Sequence, residues 1–230
     1  MVGGFSRVSR MKTKQFLRRA LGDGGFYCIF ASHGEKDRRV QKFYDSTDAL
    51  LDAVYELDAD GFDVYFALAT FKESGSRKAI NVKQLRSFFL DLDCGPSKDY
   101  QTQNDAIIAL RKFCKEVDLP KPLLINSGRG VHAYWFLSEP VTLEEWVPVA
   151  QRFKDLCAKY NLLADPAVTA DSARVLRVPD THNHKTDPPA NVRCFGTSAP
   201  EPMTIDVFKE YIGEELIPVP TNTYLLEVML

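Results

Sequence analysis

The amino-acid sequence predicts a mixed-sheet domain of the α/β or α+β class, and three observations carry that expectation. Strand-like and helix-like segments interleave without a strict strand–helix–strand rhythm, so a doubly wound nucleotide fold is not expected. Two apolar runs flank a glycine-containing turn at residues 126–130, the pattern of a β-hairpin. A third run, Phe88-Phe89-Leu90, is short and uninterrupted, as in a strand covered on both faces.

In chain order, residues 12–21 form a short helix that stops at the turn Gly22-Asp23-Gly24-Gly25. Residues 26–31 read as a strand. Residues 46–57 read as an amphipathic helix, with Asp45 or Ser46 as cap and Leu50, Leu51, Val54 and Leu57 at helical spacing. Residues 62–70 are expected as one strand, residues 73–78 as a polar loop, and residues 85–92 as the buried strand. A helix over 105–117 precedes the hairpin strands 123–125 and 131–137. The next helix runs from Thr142 to Tyr160, but Pro148 points to a start near Val147, because proline lacks the amide that a helix interior needs. Short elements follow at 175–178 and 192–195, then a helix at 205–211.

The expected organisation is a basic N-terminal arm or helix over 1–24, a main domain over 25–213, and a linker or docking tail over 214–230. A truncated chain or an absent C-terminal partner would suit that tail. With 230 residues, a sizeable core forms without disulfides or a structural metal. No apolar run reaches the roughly 18 residues that span a bilayer, and the N-terminus lacks the apolar stretch of a secretory signal. The five cysteines are far apart and form no C-x-x-C, which excludes a zinc knuckle and fits free thiols in a reducing cytoplasm. The net charge of −2 speaks against a protein that coats nucleic acid. Arg7, Arg10, Lys12, Lys14, Arg18 and Arg19 nevertheless form an acid-free cluster, which is either a backbone-binding arm or a solvated terminus.

Three segments carry chemistry. Asp91 and Asp93 end the apolar strand two residues apart, so both carboxylates share one face. Clustered carboxylates repel unless protonated or bound to cations, and hard ions such as Mg²⁺ or Mn²⁺ resolve the repulsion through oxygen ligands. The pair reads equally as solvated strand-end acids. A second D-x-D, Asp58-Ala59-Asp60, is read as a solvated helix end before Gly61. In Ser127-Gly128-Arg129-Gly130-Val131-His132, the glycines allow close backbone approach to a phosphate and Arg129 adds a fixed positive fork, while His132 shares a face with Tyr134 and Phe136. The alternative there is a plain tight hairpin with a half-buried histidine. Asp171 offers a third carboxylate, and Arg174, Arg177 and Lys185 offer charge for a polyanion, or else the segment is a solvated loop. Arg174 and Arg177 face together in a helical turn and not in a strand. His182-Asn183-His184 matches neither the spaced histidines of HNH nucleases nor the His-hydrophobic-His of rolling-circle nucleases, and no histidine metal site is expected there.

Taken in order, the three segments resemble the motifs of the archaeo-eukaryotic primase (AEP) superfamily, in the form seen in phage and plasmid primase-polymerases. Residues 88–93 match its acid-x-acid strand end, residues 127–132 are similar to its Ser-x-His type motif, and Ala170-Asp171 matches its hydrophobic-Asp motif. Residues 168–185 resemble the segment that runs on to an L-I-R-x-P-G-S-L-H-G-K signature, with Asp180 in place of the usual Gly and Asn183 in place of the archaeal His. The resemblance covers about residues 85–185. It implies an RRM-like sheet joined to an N-terminal αβ unit, and template-dependent nucleotidyl transfer by two-metal catalysis on single-stranded DNA. Asp91, Asp93 and Asp171 would hold two Mg²⁺ or Mn²⁺ ions, with no zinc expected. Ser127, Gly128, Arg129 and His132 would hold the incoming NTP or dNTP, and Arg177 and Lys185 would add phosphate or template contacts. The implied setting is the cytoplasm of a host carrying a phage or plasmid, with a fused or associated replicative helicase. A non-catalytic single-strand or origin-binding module and a metal-dependent nuclease are the competing functions.

Overall fold

The computed structural model describes residues 7–34, 38–195 and 200–213. The tail expected at 214–230 and the first six residues of the arm lie outside the described residues. The first helix, α1 (Arg7–Ala20), buries Phe16, Leu17 and Ala20. Strands β1 (Tyr27–His33) and β2 (Arg38–Tyr44) form an antiparallel pair with Tyr27 opposite Tyr44 and His33 opposite Arg38. β2 carries no clean alternation in sequence, because Arg38, Arg39 and Lys42 leave this edge strand mostly exposed. Helix α2 (Thr47–Ala59) is capped by Ser46, whose Oγ accepts from the Ala49 amide, and buries Leu50, Leu51 and Val54.

The strand expected at 62–70 is two strands. β3 (Asp63–Ala67) and β4 (Ala69–Phe71) belong to different sheets, and the chain changes sheet at the buried Leu68, whose amide donates to the Arg174 carbonyl. An unbroken apolar run conceals such a switch, because both halves are buried. β5 (Val82–Leu92) is the predicted core strand. Helix α3 (Gln103–Glu116) starts two residues before the expected point, where Thr102 and Asp105 form a capping box. β6 (Leu123–Asn126) and β7 (Val131–Val141) are the predicted hairpin.

Helix α4 (Leu143–Lys159) corrects the later start expected from Pro148. Thr142 and Glu145 cap each other reciprocally, and the proline removes only the amide that would reach the carbonyl of exposed Glu144. A short turn, α5 (Pro166–Thr169), leads to β8 (Val175–Arg177), β9 (Thr181–Asn183) and β10 (Ala190–Phe195), and then to α6 (Ile205–Ile212).

The strands make two antiparallel sheets, ordered β2-β1-β3-β8 and β4-β5-β7-β6-β10-β9. Phe16 of α1 sets its ring edge-on against Phe66 of the first sheet and Tyr134 of the second, with centroids 5.6 and 5.2 Å away. The basic N-terminal helix is thus also the apolar link between the sheets. On the larger sheet, Phe88 stacks on Trp146 of α4 and Phe208 of α6, at 5.6 and 4.2 Å. Each aromatic buried this way contributes on the order of 1.5–3 kcal/mol of transfer free energy. No helix among the described residues is long and apolar enough to cross a membrane.

Candidate active site

The register of β5 against β7 places Asp91 directly opposite His132, so both project from the same face at the open end of the sheet. His132 Nε2 lies 3.7 Å from Asp91 Oδ1. Burial, and then the Arg177 guanidinium, push the imidazole down to about 3, so it stands neutral. Its Nδ1 is buried without a hydrogen-bond partner. Loss of water, then the Asp93 carboxylate and then Asp165, push Asp91 up to about 7, against the pull of Arg174 and Arg177. Asp93 sits two residues on and pairs with exposed Lys98 at 2.6 Å.

The third carboxylate arrives from far along the chain. The Asp165 amide donates to the Asp91 carbonyl at 2.9 Å, which fastens the α5 turn to the end of β5. Asp171 follows that turn, its Oδ1 accepting from the Ala173 amide at 2.8 Å. Asp165 belongs to none of the three sequence motifs. It caps α5 by accepting from the Ala167 amide, and only the fold reveals that it neighbours Asp91.

The glycine hairpin is held from inside. Ser127 Oγ accepts from the Gly130 amide at 3.0 Å, and Asn126 Oδ1 accepts from the Gly128 amide at 2.7 Å. Gln103 on α3 donates to Asn126 Oδ1 and to the Gly130 carbonyl. From β9, Asn183 Nδ2 donates to the Ser127 carbonyl at 3.0 Å, while its Oδ1 accepts from Arg177 and from the Lys185 amide. Asn126, Gln103 and Asn183 carried no local signal of this role in the sequence.

Arg177 is buried, pairing with Asp63 Oδ1 at 2.6 Å and lying over the Tyr65 ring at 4.8 Å. Its Nη1 and Nη2 are both engaged by the protein, so it offers the site a fixed positive charge more than an open fork. Arg129 is exposed and donates to the Lys185 carbonyl.

Asp91, Asp93, Ser127, Gly128, Arg129, His132, Asp171, Arg177 and Lys185 all line one cleft of about 1090 Å³. Tyr65 and Arg177 reach it from the smaller sheet, and Asp91 and His132 from the larger. Arg174 lines it too, from the turn before β8, so the strand rule that would have separated it from Arg177 does not apply. With Arg77 and Lys98, six cationic side chains face three carboxylates, a balance that suits a polyanion accompanied by metal ions. The carboxylate donor set fits hard divalent ions, which offset both the loss of water and the neighbouring Asp93 and Asp165 charges that raise Asp91. The three acids are spread wider than a single-ion cage. The one trio of ligand side chains among the described residues with donor atoms within 4.8 Å of one another lies elsewhere.

That trio corrects one expectation. Asp58 is not a solvated helix end: it is 3% exposed, at the inner face of α2. His182 and His184 both turn onto it.

Comparison with solved structures decides the fold. The AEP domain of the cyanophage S-2L primase-polymerase superposes with a TM-score of 0.65 at 17% identity, over 91% of this chain and 99% of that one. The fold is that of an AEP primase domain. Primase RepB′ gives a TM-score of 0.58 at 16% identity, and this chain spans 60% of its length. The catalytic domain of primase RepB′ in complex with initiator DNA gives 0.56 at 16% identity, over 89% of this chain and 92% of that one. No family model and no curated protein matches the sequence. The AEP likeness is therefore one of architecture, matching the mixed-sheet expectation, and residue roles rest on the cleft itself.

Proposed function

We propose that this chain is a primase-polymerase catalytic domain, which joins nucleotides on a single-stranded DNA template. The observation that supports the reading is the meeting, in one cleft of an AEP fold, of three carboxylates, a glycine hairpin and six cationic side chains. Asp91, Asp93 and Asp171 would hold a pair of Mg²⁺ or Mn²⁺ ions. Such ions, when bound, activate the attacking hydroxyl and neutralise the leaving pyrophosphate.

The residues of the chain do the rest. Arg129 and Lys185, both exposed at the cleft, meet the triphosphate of an NTP or dNTP. Ser127 Oγ accepts from the Gly130 amide, which leaves its own proton to donate to a phosphate oxygen. The Gly128 amide is already spent on Asn126, so this glycine serves by its conformation. His132 acts as a neutral hydrogen-bonding group, and Arg177 as a fixed charge behind the site. A single-stranded template, a replicative helicase as partner, and the cytoplasm of a host carrying a phage or plasmid complete the proposal.

The test is templated incorporation of NTPs and dNTPs on single-stranded DNA with Mg²⁺ or Mn²⁺, comparing wild type with Asp91→Asn and Asp93→Asn. Each variant is expected to lose activity by on the order of a hundredfold or more. Full activity in both would sink the proposal. Template binding without incorporation under either metal would make the chain a binding module, and template degradation without nucleotides would make it a nuclease.

A further inference from the structure

We propose that Asp58, His182 and His184 form a second metal centre, built for a borderline transition ion such as Zn²⁺, which clamps β9 to α2. It rests on different residues and different chemistry from the cleft, and it stands whether or not the chain is a polymerase. The expectation that zinc has no place in this protein came from the cysteine spacing. The donors here are imidazoles and a carboxylate.

One donor atom from each of the three side chains lies within 4.8 Å of the others. His182 stands in β9 and His184 in the turn just past its end, and both imidazoles reach the Asp58 carboxylate. Asp58 is buried beneath them, with its carboxylate held in place: Oδ1 accepts from the His182 amide at 2.7 Å. His184 is fixed in turn by donation from its own amide to Asp63 Oδ1 at 2.9 Å. The donors are therefore positioned by backbone contacts before any ion arrives.

The His184 contact is the telling one. Its Nε2 is buried and makes no hydrogen bond, yet it lies 3.4 Å from Asp58 Oδ1. Two ligands each about 2.0–2.2 Å from a tetrahedral zinc stand roughly 3.3–3.5 Å apart. The pair thus has the spacing of donors around one ion. His182 Nδ1, 2.8 Å from Asp58 Oδ2, makes a hydrogen bond that ion binding would replace, the neutral imidazole then carrying its proton on Nε2. The His182 side chain is 35% exposed, which leaves an approach for the ion and a place for water as a fourth ligand. Mixed nitrogen and oxygen donors favour zinc-like ions, whereas the oxygen-only cleft favours magnesium or manganese.

The position of the clamp gives it a consequence. Asn183, between the two histidines, points to the opposite face, where it braces the Ser127 carbonyl and Arg177. An ion on the histidine face would hold the strand that supports the glycine hairpin.

The experiment titrates Zn²⁺ alone into the chelator-treated full chain by calorimetry, with the thermal midpoint measured in parallel. The expected result is one equivalent bound, retained by the Asp91→Asn/Asp93→Asn double variant and weakened more than about tenfold in His184→Gln and His182→Gln. The midpoint rises with zinc in wild type and not in the histidine variants. Circular dichroism checks their folding. Should either variant fail to fold, Co²⁺ bound to wild type decides, intense tetrahedral absorption supporting the centre and weak octahedral bands overturning it. No zinc bound by wild type, or binding that survives both histidine variants, would also overturn it.

Discussion

Gly128 marks how little room the candidate phosphate turn has. Its φ is +92°, in the left-handed region, and an added Cβ would stand 2.6 Å from the Asn183 Cβ. Gly128→Ala is therefore expected to lower stability by about 1–3 kcal/mol, read by urea denaturation, with weaker nucleotide binding read by fluorescence titration. An unchanged midpoint would show that the turn has slack the structure denies. The local pattern of the glycines, Arg129 and His132 reads as readily as a plain tight hairpin, and only its order with the other two segments singles it out. Asn183 and Asp165 carry no local sign of their roles here, because those come from partners far away in sequence, Ser127 for the one and Asp91 for the other. Asp58 was misread for a related reason. An acid near a helix end looks solvated until the histidines that cover it are brought back by the chain.

At the level of elements, most helices and the hairpin were readable because caps and periodicity are local. Ser46 stands where its helix begins, as its sequence suggests, whereas the Thr102–Asp105 and Thr142–Glu145 boxes start their helices earlier than expected. The errors fall where tertiary context overrides local pattern: Pro148 within a well-capped helix, a charged edge strand at β2, and an apolar run divided between sheets at Leu68. The three-residue strands β8 and β9 are too short for periodicity, and the Arg177 network holds them in place. Arg177 on β8 joins Asp63 on β3 and Asn183 on β9. With both members of the ion pair buried, Arg177→Met strands the Asp63 carboxylate and is expected to cost about 3–5 kcal/mol, measured by guanidinium denaturation. Arg177→Lys should recover little of it, because an ammonium cannot bond Asp63 and Asn183 in the same fork while lying over Tyr65. A loss below about 1 kcal/mol for Arg177→Met would mean that the pair is not the tie described.

Across the whole molecule, two antiparallel sheets joined through Phe16 enclose a cleft to which both contribute. The overall charge of −2 says little about such a site, since the cations are gathered locally around Asp91, Asp93 and the sequence-distant Asp171. The order and spacing of the motifs point to residues that line one cleft. The second cluster, at Asp58, His182 and His184, needed the fold. The claim on which the function depends is that Asp91, Asp93 and Asp171 share a pair of hard cations beside the glycine hairpin. Crystals grown with Mn²⁺ and a non-hydrolysable nucleoside triphosphate test it directly through anomalous scattering. Two manganese peaks about 3.5–4 Å apart are expected, ligated by all three carboxylates, with the triphosphate against Arg129 and His132. Manganese that leaves Asp171 unligated, or a triphosphate bound outside this cleft, would contradict it.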